Sequence, residues 1–186
     1  PGELDALRRA AKLADEGYQI FRKAAVPGRP QFELIAEIEA FFRGRGCPDN
    51  FMIMGSGGQD VTAMAPPSDR RIAKGDLVTT ELTPAVEGYF AQICRTLVVG
   101  KPTPTQLRAF AVYREAMEAG IDAVRPGATA AMVAKAENDV FRKYGLGDYV
   151  TSKYTRVRGH GLGLFADTKP HILEDVETVL EPGMAL

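Results

Sequence analysis

The chain has no tryptophan and only two cysteines and two histidines among its 186 residues. Cys47 and Cys94 form no metal-ligating or redox spacing and cannot staple a disulfide scaffold, and such sparing use fits a reducing, cytoplasmic compartment. Neither sign of charge is in excess. Lys+Arg 23 against Asp+Glu 24 leaves a net charge of −1, so there is no broad basic field for nucleic acid or an anionic membrane surface. No window approaches the roughly 18 uninterrupted apolar residues of a membrane span. Pro1-Gly2-Glu3-Leu4-Asp5 lacks the basic and apolar character of a secretory signal. What is present is 45% hydrophobic and 25% charged residues, the balance of a globular domain long enough to bury a sizeable core.

Leu4, Leu7, Ala11, Ala14, Tyr18 and Phe21 recur at helical spacing and predict an amphipathic helix over about 2–25. Pro27-Gly28-Arg29-Pro30 breaks it, and Leu34, Ile35, Ile38, Phe41 and Phe42 mark a second helix that stops near Gly44-Arg45-Gly46. The apolar run Phe51-Met52-Ile53-Met54 follows. A strand is predicted from Gly75-Asp76-Leu77-Val78, punctuated by Gly88, with a return strand over about 89–99 closing a hairpin. Thr103-Pro104 then fits an N-cap with proline at the first helical position, and Leu107, Phe110, Ala111, Tyr113, Met117 and Ile121 carry that helix to about Val124. Pro126-Gly127 breaks it, and Met132, Val133, Ala136, Val140 and Phe141 give a fourth helix ending at Gly145.

The second half repeats the first. A shift of 99 residues pairs Pro27 with Pro126, Gly28 with Gly127, Phe42 with Phe141, Arg43 with Arg142 and Gly46 with Gly145. The period is too long for a solenoid, so the reading is a duplicated α+β helix–helix–strands unit about a pseudo-twofold axis, with halves of about 1–102 and 103–186. The chain starts without Met and stops inside Gly183-Met184-Ala185-Leu186, where the second hairpin should begin. It is expected to be a piece of a longer protein.

Phosphate-binding glycine motifs are missing. Gly55-Ser56-Gly57-Gly58 is not GxGxxG and precedes no helix, and Gly159-His160-Gly161-Leu162-Gly163 leads into Leu164-Phe165. The basic stretch Lys153-Tyr154-Thr155-Arg156-Val157-Arg158 reads as a solvated strand face. His171, after Pro170 in a polar stretch, reads as a surface residue. His160 stands between two glycines, where backbone can approach closely and the imidazole is unshielded, a setting for an acid, base or ligand.

The series Gly75-Asp76-Leu77-Val78, Glu87-Gly88-Tyr89-Phe90-Ala91-Gln92-Ile93-Cys94-Arg95-Thr96, Gly159-His160-Gly161-Leu162-Gly163 and Leu180-Glu181-Pro182-Gly183-Met184 resembles the catalytic domain shared by methionine aminopeptidase, Xaa-Pro aminopeptidase, prolidase and creatinase. The resemblance runs from about residue 2 to 186. It implies the pita-bread fold, itself a duplicated α+β unit, a small-molecule or short-peptide substrate and a homodimer. In the peptidases of this family two metals (Mn, Co or Zn) are held by two aspartates, one histidine and two glutamates. The aspartate positions fall on Glu81 and Gln92, the histidine on His160, and the glutamates beyond Leu186.

The departures from the pattern are informative. Gln92 is neutral where a bridging carboxylate is expected, and an amide is a poor ligand for a dinuclear site. Glu81 carries one methylene more than aspartate, which shifts its oxygens by about 1.5 Å against coordination radii of ~2.1 Å. Ala63-Met64-Ala65-Pro66-Pro67 and Phe165-Ala166-Asp167-Thr168 stand where the peptidases place further histidines. Creatinase also lacks the metal carboxylates and uses its histidine as acid/base. The resemblance therefore implies a metal-free hydrolase of C–N bonds, with His160 and Glu81 catalytic, Gln92 and Asp167 substrate-binding, and no metal or other cofactor. Two alternatives stand beside it: a metallopeptidase with a reduced Mn, Co or Zn site, and a non-catalytic peptide- or protein-binding domain. Arg95 reads as internally paired, Tyr89 as core, and Cys94 as no nucleophile.

Overall fold

The computed structural model describes residues 2–58, 61, 63–151 and 157–186. They divide into two compact units, one of residues up to Pro102 with Gly163–Ala166, the other of Thr103–Leu162 with Asp167–Leu186.

In the first unit, α1 (Gly2–Ala24) and α2 (Gln31–Gly44) precede β1 (Asn50–Gly57), β2 (Leu77–Val86), β3 (Tyr89–Phe90) and β4 (Ile93–Val98). The buried face of α1 is Ala6, Ala10, Leu13, Ala14, Gly17, Phe21 and Ala24, so small residues dominate it and Leu4 is exposed. Gly17 is required there, because a Cβ would lie 2.5 Å from the Phe42 ring of α2. Phe21, Leu34, Ile38 and Phe42 are fully buried with Val78 and Leu82 of β2, forming one core between helices and sheet. Strand β2 is central: β1 pairs with it antiparallel from Asn50↔Pro84 to Gly57↔Leu77, and β4 from Leu77↔Val98 to Leu82↔Ile93.

The expected hairpin is there but interrupted. Glu87 (φ 53) and Gly88 (φ 83) make a two-residue turn with both residues left-handed, the geometry that matches strand twist. After Tyr89 and Phe90 pair with Val86 and Ala85, the return strand leaves the ladder at Ala91-Gln92, where the Ala91 N–H donates to the Pro84 carbonyl at 3.1 Å. Tyr89 is not core; it is half-buried, and its hydroxyl donates to Glu3 on α1 at 2.7 Å.

In the second unit, α3 (Pro104–Ala123) begins at a capping box in which Thr103 and Gln106 satisfy each other's backbone N–H. Helix α4 (Ala130–Lys143) is capped by Thr129, and β5 (His160–Gly161) pairs with β6 (Thr168–His171). Only Ala116 and Gly120 of α3 are buried, while its apolar stripe of Leu107, Phe110, Tyr113, Met117 and Ile121 is exposed.

The duplication shows in matched hydrogen bonds. The Gly28 N–H donates to Ile72 at 2.7 Å and the Gly127 N–H to Leu180 at 2.9 Å. After the second helix of each unit, the Cys47 N–H donates to Phe42 and the Leu146 N–H to Phe141, at 3.0 and 2.9 Å. Gly46 and Gly145 take φ of 77 and 73, the left-handed stop that a Cβ would oppose.

Candidate active site

Within the first unit, Glu81 sits in the middle of β2 opposite Cys94 of β4, so their side chains share one face of the ladder. Gln92 lies in the interruption just before β4. Its amide Nε2 donates to Glu81 Oε1 at 2.8 Å, and the Cys94 thiol lies 3.7 Å from Glu81 Oε2. Both oxygens of the Glu81 carboxylate thus accept from neighbours in the chain. Crowding by protein atoms, although the residue surface is open, and then the negative charge of Glu81 push the Cys94 thiol up to about 11, against a smaller opposing pull from Arg95. A thiol held protonated is no nucleophile at neutral pH. Arg95 donates to the Cys94 carbonyl at 2.9 Å.

Within the second unit, His160 is the first residue of β5 and half-buried. Gly161 must be glycine, since a Cβ would stand 2.5 Å from the Lys169 carbonyl and 2.9 Å from Thr168 Cγ2. The His160 Nδ1 lies 3.0 Å from the Gly161 carbonyl, so the ring proton belongs on Nδ1 and Nε2 is the acceptor nitrogen. His171 keeps an exposed side chain, as its polar surroundings predict; it stands in register opposite His160 and bonds through Nε2 to Asp167 Oδ1 at 2.8 Å. Asp167 is exposed and engaged with this imidazole.

The segment leading into His160 is anchored by a polar network. Lys153–Arg156 of the basic stretch lie outside the described residues, and Arg158 is not on a solvated face. Its Nε donates to Asn138 Oδ1 at 2.7 Å and its guanidinium lies 4.9 Å over the Phe141 ring. Buried Asn138 in turn donates to Glu174 at 3.1 Å, and Arg142 donates to the same carboxylate at 2.8 Å. A neutral amide suits this position, accepting from a cation and donating to an anion.

The structure therefore joins Glu81 with Gln92 in one unit and Asp167 with His171 in the other, where His171 also faces His160. The sequence singled out four of these five; His171 was visible only as the second of two histidines.

A model of metallopeptidase family M24 matches residues 5–186, and the chain belongs to that family. It is 30% identical over 186 residues to the Xaa-Pro dipeptidase of Pyrococcus furiosus, covering 99% of this chain and 52% of that protein. The solved prolidase from the same organism superposes with a TM-score of 0.92 over 98% of this chain and 54% of its own, at 30% identity. A probable dipeptidase PepE of Mycobacterium tuberculosis is 32% identical over 185 residues, 98% of this chain and 48% of that protein. Creatinase of a Bacillus species is 25% identical over 197 residues, 99% of this chain and 47% of that protein. The chain spans about half the length of the curated relatives it matches. The fold is the duplicated α+β pita-bread fold of this family.

The family's metals can be tested against these side chains. A two-metal centre needs anionic donors that bridge the ions, as two divalent cations within ~4 Å repel strongly. Gln92 brings no charge and turns its N–H toward Glu81, and both Glu81 oxygens are engaged. Among the described residues no group of three or more His, Cys, Asp or Glu is gathered for an ion. The donor set at 81 and 92 does not fit a dinuclear metal centre.

Proposed function

We propose that the protein is a hydrolase that cleaves a C–N bond in a small amide, imino-acid or guanidino substrate without a dinuclear metal centre. The observation that carries this is the Gln92–Glu81 hydrogen bond, which puts an amide–carboxylate pair at the two positions where the family resemblance implies metal-holding aspartates. Relatives called Xaa-Pro dipeptidase and Creatinase support the substrate class.

In this reading His160 carries the proton. With Nδ1–H held toward the Gly161 carbonyl, Nε2 takes a proton from attacking water and returns it to the leaving nitrogen, work for which imidazole is suited near neutral pH. Glu81 supplies a negative charge for a cationic substrate group. Gln92 and Asp167 are polar substrate contacts.

The test is turnover by the protein as its gene encodes it, assayed on Xaa-Pro dipeptides, N-terminal Met peptides, creatine and related amidines. His160→Ala is expected to lower kcat by ~10² or more with the fold intact. Full activity in that variant contradicts the mechanism. Failure to turn over any of the panel favours a binding domain on the same scaffold.

A further inference from the structure

We propose that Asn138 of α4 is a positioning residue for His160, holding the chain that leads into β5 and the chain that leaves β6 through one buried amide; this rests on the hydrolase reading above. The need for such an anchor is visible in the sequence. His160 stands between Gly159 and Gly161, and glycines leave the backbone on both sides of it conformationally free. Neither neighbour has a side chain to tether. The first side chain before the histidine that can be gripped is that of Arg158.

Arg158 is tied down through its backbone and its side chain. Its backbone N–H donates to the Ile172 carbonyl at 2.9 Å and the Ile172 N–H donates to the Gly159 carbonyl at 2.8 Å, joining the approach to His160 to the segment after β6. Its Nε donates to Asn138 Oδ1 at 2.7 Å. Asn138 Nδ2 donates at 3.1 Å to Glu174, just beyond Ile172. One side chain on α4 thus holds both segments, and Arg142, a turn further on, donates to the same Glu174 carboxylate at 2.8 Å. Asn138 is 2% exposed, so water has little access to these bonds.

The position demands a group that accepts on one side and donates on the other. A guanidinium only donates and an ionised carboxylate only accepts, so the amide oxygen belongs toward Arg158 and its nitrogen toward Glu174. Aspartate would accept from Arg158 but set a second carboxylate against Glu174. The internal repeat supplies the comparison. At the shift of 99 residues Phe42 and Arg43 recur as Phe141 and Arg142, whereas Glu39 is replaced by Asn138. Glu39 accepts from Arg43 of its own helix at 2.9 Å, with its side chain 38% exposed. The unit without His160 therefore has a surface pair where the unit with it has a buried bridge from helix to both strand segments.

Releasing Arg158 lets the start of β5 shift, and the imidazole with it. Misplacing a reacting group by about 1 Å can cost ~10²-fold in rate. Because Asn138 is buried away from solvent, its loss acts through His160 and belongs in kcat rather than KM.

The experiment uses the protein as its gene encodes it, with alanyl-proline, methionyl-alanine and creatine as probes, and compares wild type with Asn138→Asp, Glu174→Gln, both substitutions together, Arg158→Met and His160→Ala. Asn138→Asp should lower kcat ~10-fold or more with KM within about twofold. Adding Glu174→Gln puts an amide donor opposite the new carboxylate and should restore kcat to within about threefold of wild type. Nitrogen-15 resonances of the His160 ring should shift in Asn138→Asp and return in the double variant. Should Asn138→Asp not fold, Arg158→Met, which keeps an apolar stem over Phe141 but removes the donor, carries the same expected loss of kcat. Unmoved His160 resonances in a folded Asn138→Asp, a double variant no better than that single one, or wild-type kcat in Arg158→Met overturns this inference and leaves the hydrolase reading standing. Turnover of none of the probes, or full activity in His160→Ala, overturns the hydrolase reading; the His160 resonances then decide the positioning role alone, shifted resonances supporting it and unmoved ones overturning it.

Discussion

Gln92 donates its amide N–H to Glu81 at 2.8 Å, from the point where the return strand leaves the ladder to the middle of β2. The bond couples a neutral side chain to an acid that also receives the Cys94 thiol. If neutrality at position 92 is what excludes a metal pair, Gln92→Asp should raise the metal retained by protein purified without chelator. Elemental analysis checks this. Two equivalents of Mn, Co, Fe or Zn per wild-type chain would count against it.

Cys94 should be an unreactive thiol. Crowding and the Glu81 charge push it up to about 11, so at pH 8 its thiolate fraction is on the order of 10⁻³. Alkylation by iodoacetamide, followed by mass spectrometry of the Cys94 peptide, should be about 10²-fold slower than for a free thiol of ordinary pKa. Glu81→Gln should speed it several-fold. Alkylation at the rate of glutathione would refute the placement of Glu81 beside it.

Glu137 gives a pH dependence to the second unit. Burial pushes its carboxyl up to about 7, with the Arg158 charge pulling the other way without prevailing. It packs against Gly120 of α3, where an added Cβ would meet the Glu137 side chain and force it to move. The folded carboxyl keeps its proton to higher pH than the unfolded one, so stability falls as pH rises from about 4.5 to about 7 and levels off above. Glu137→Gln removes that loss. Thermal unfolding should show the variant more stable than wild type at pH 8 and equal to it at pH 4; a variant less stable at pH 8 reverses the sign and rejects the argument.

Asp76 works in the opposite direction. Burial raises its carboxyl, but the Arg70 guanidinium at 2.7 Å and the Ala73 N–H at 2.9 Å outweigh burial and hold it below the usual range. Its contribution is therefore present above the ordinary carboxylate value and lost as pH falls toward the depressed one. Asp76→Asn should cost about 2–3 kcal/mol by denaturant unfolding at pH 7, with the gap to wild type closing in acid. An unchanged midpoint at pH 7 would show that the pair contributes nothing.

The helices were legible because their ends are written in local chemistry: the Thr103-Pro104 cap, and the glycines at 46 and 145 in left-handed stops. The Glu81–Gln92 contact was legible because a Gly88 turn brings flanking strands together. Other features were not. The break at Ala91-Gln92 depends on a hydrogen bond to Pro84 that leaves no periodic trace. Strand β6 reads Thr168-Lys169-Pro170-His171, with no alternation to announce it, and its pairing with β5 is set by packing around Ile172. The pairing of His171 with His160 was not legible for that reason. Arg158 was placed in solvent because its neighbours are basic, whereas its position follows from Asn138 and Phe141 on α4.

The most direct test is turnover by the full chain after exhaustive dialysis against a strong chelator, with residual metal quantified in the same sample. The account predicts unchanged kcat on the C–N substrate that the native protein hydrolyses, and loss of ~10² or more in His160→Ala under the same conditions. Activity that disappears with the metal and returns on adding Mn, Co or Zn would contradict it.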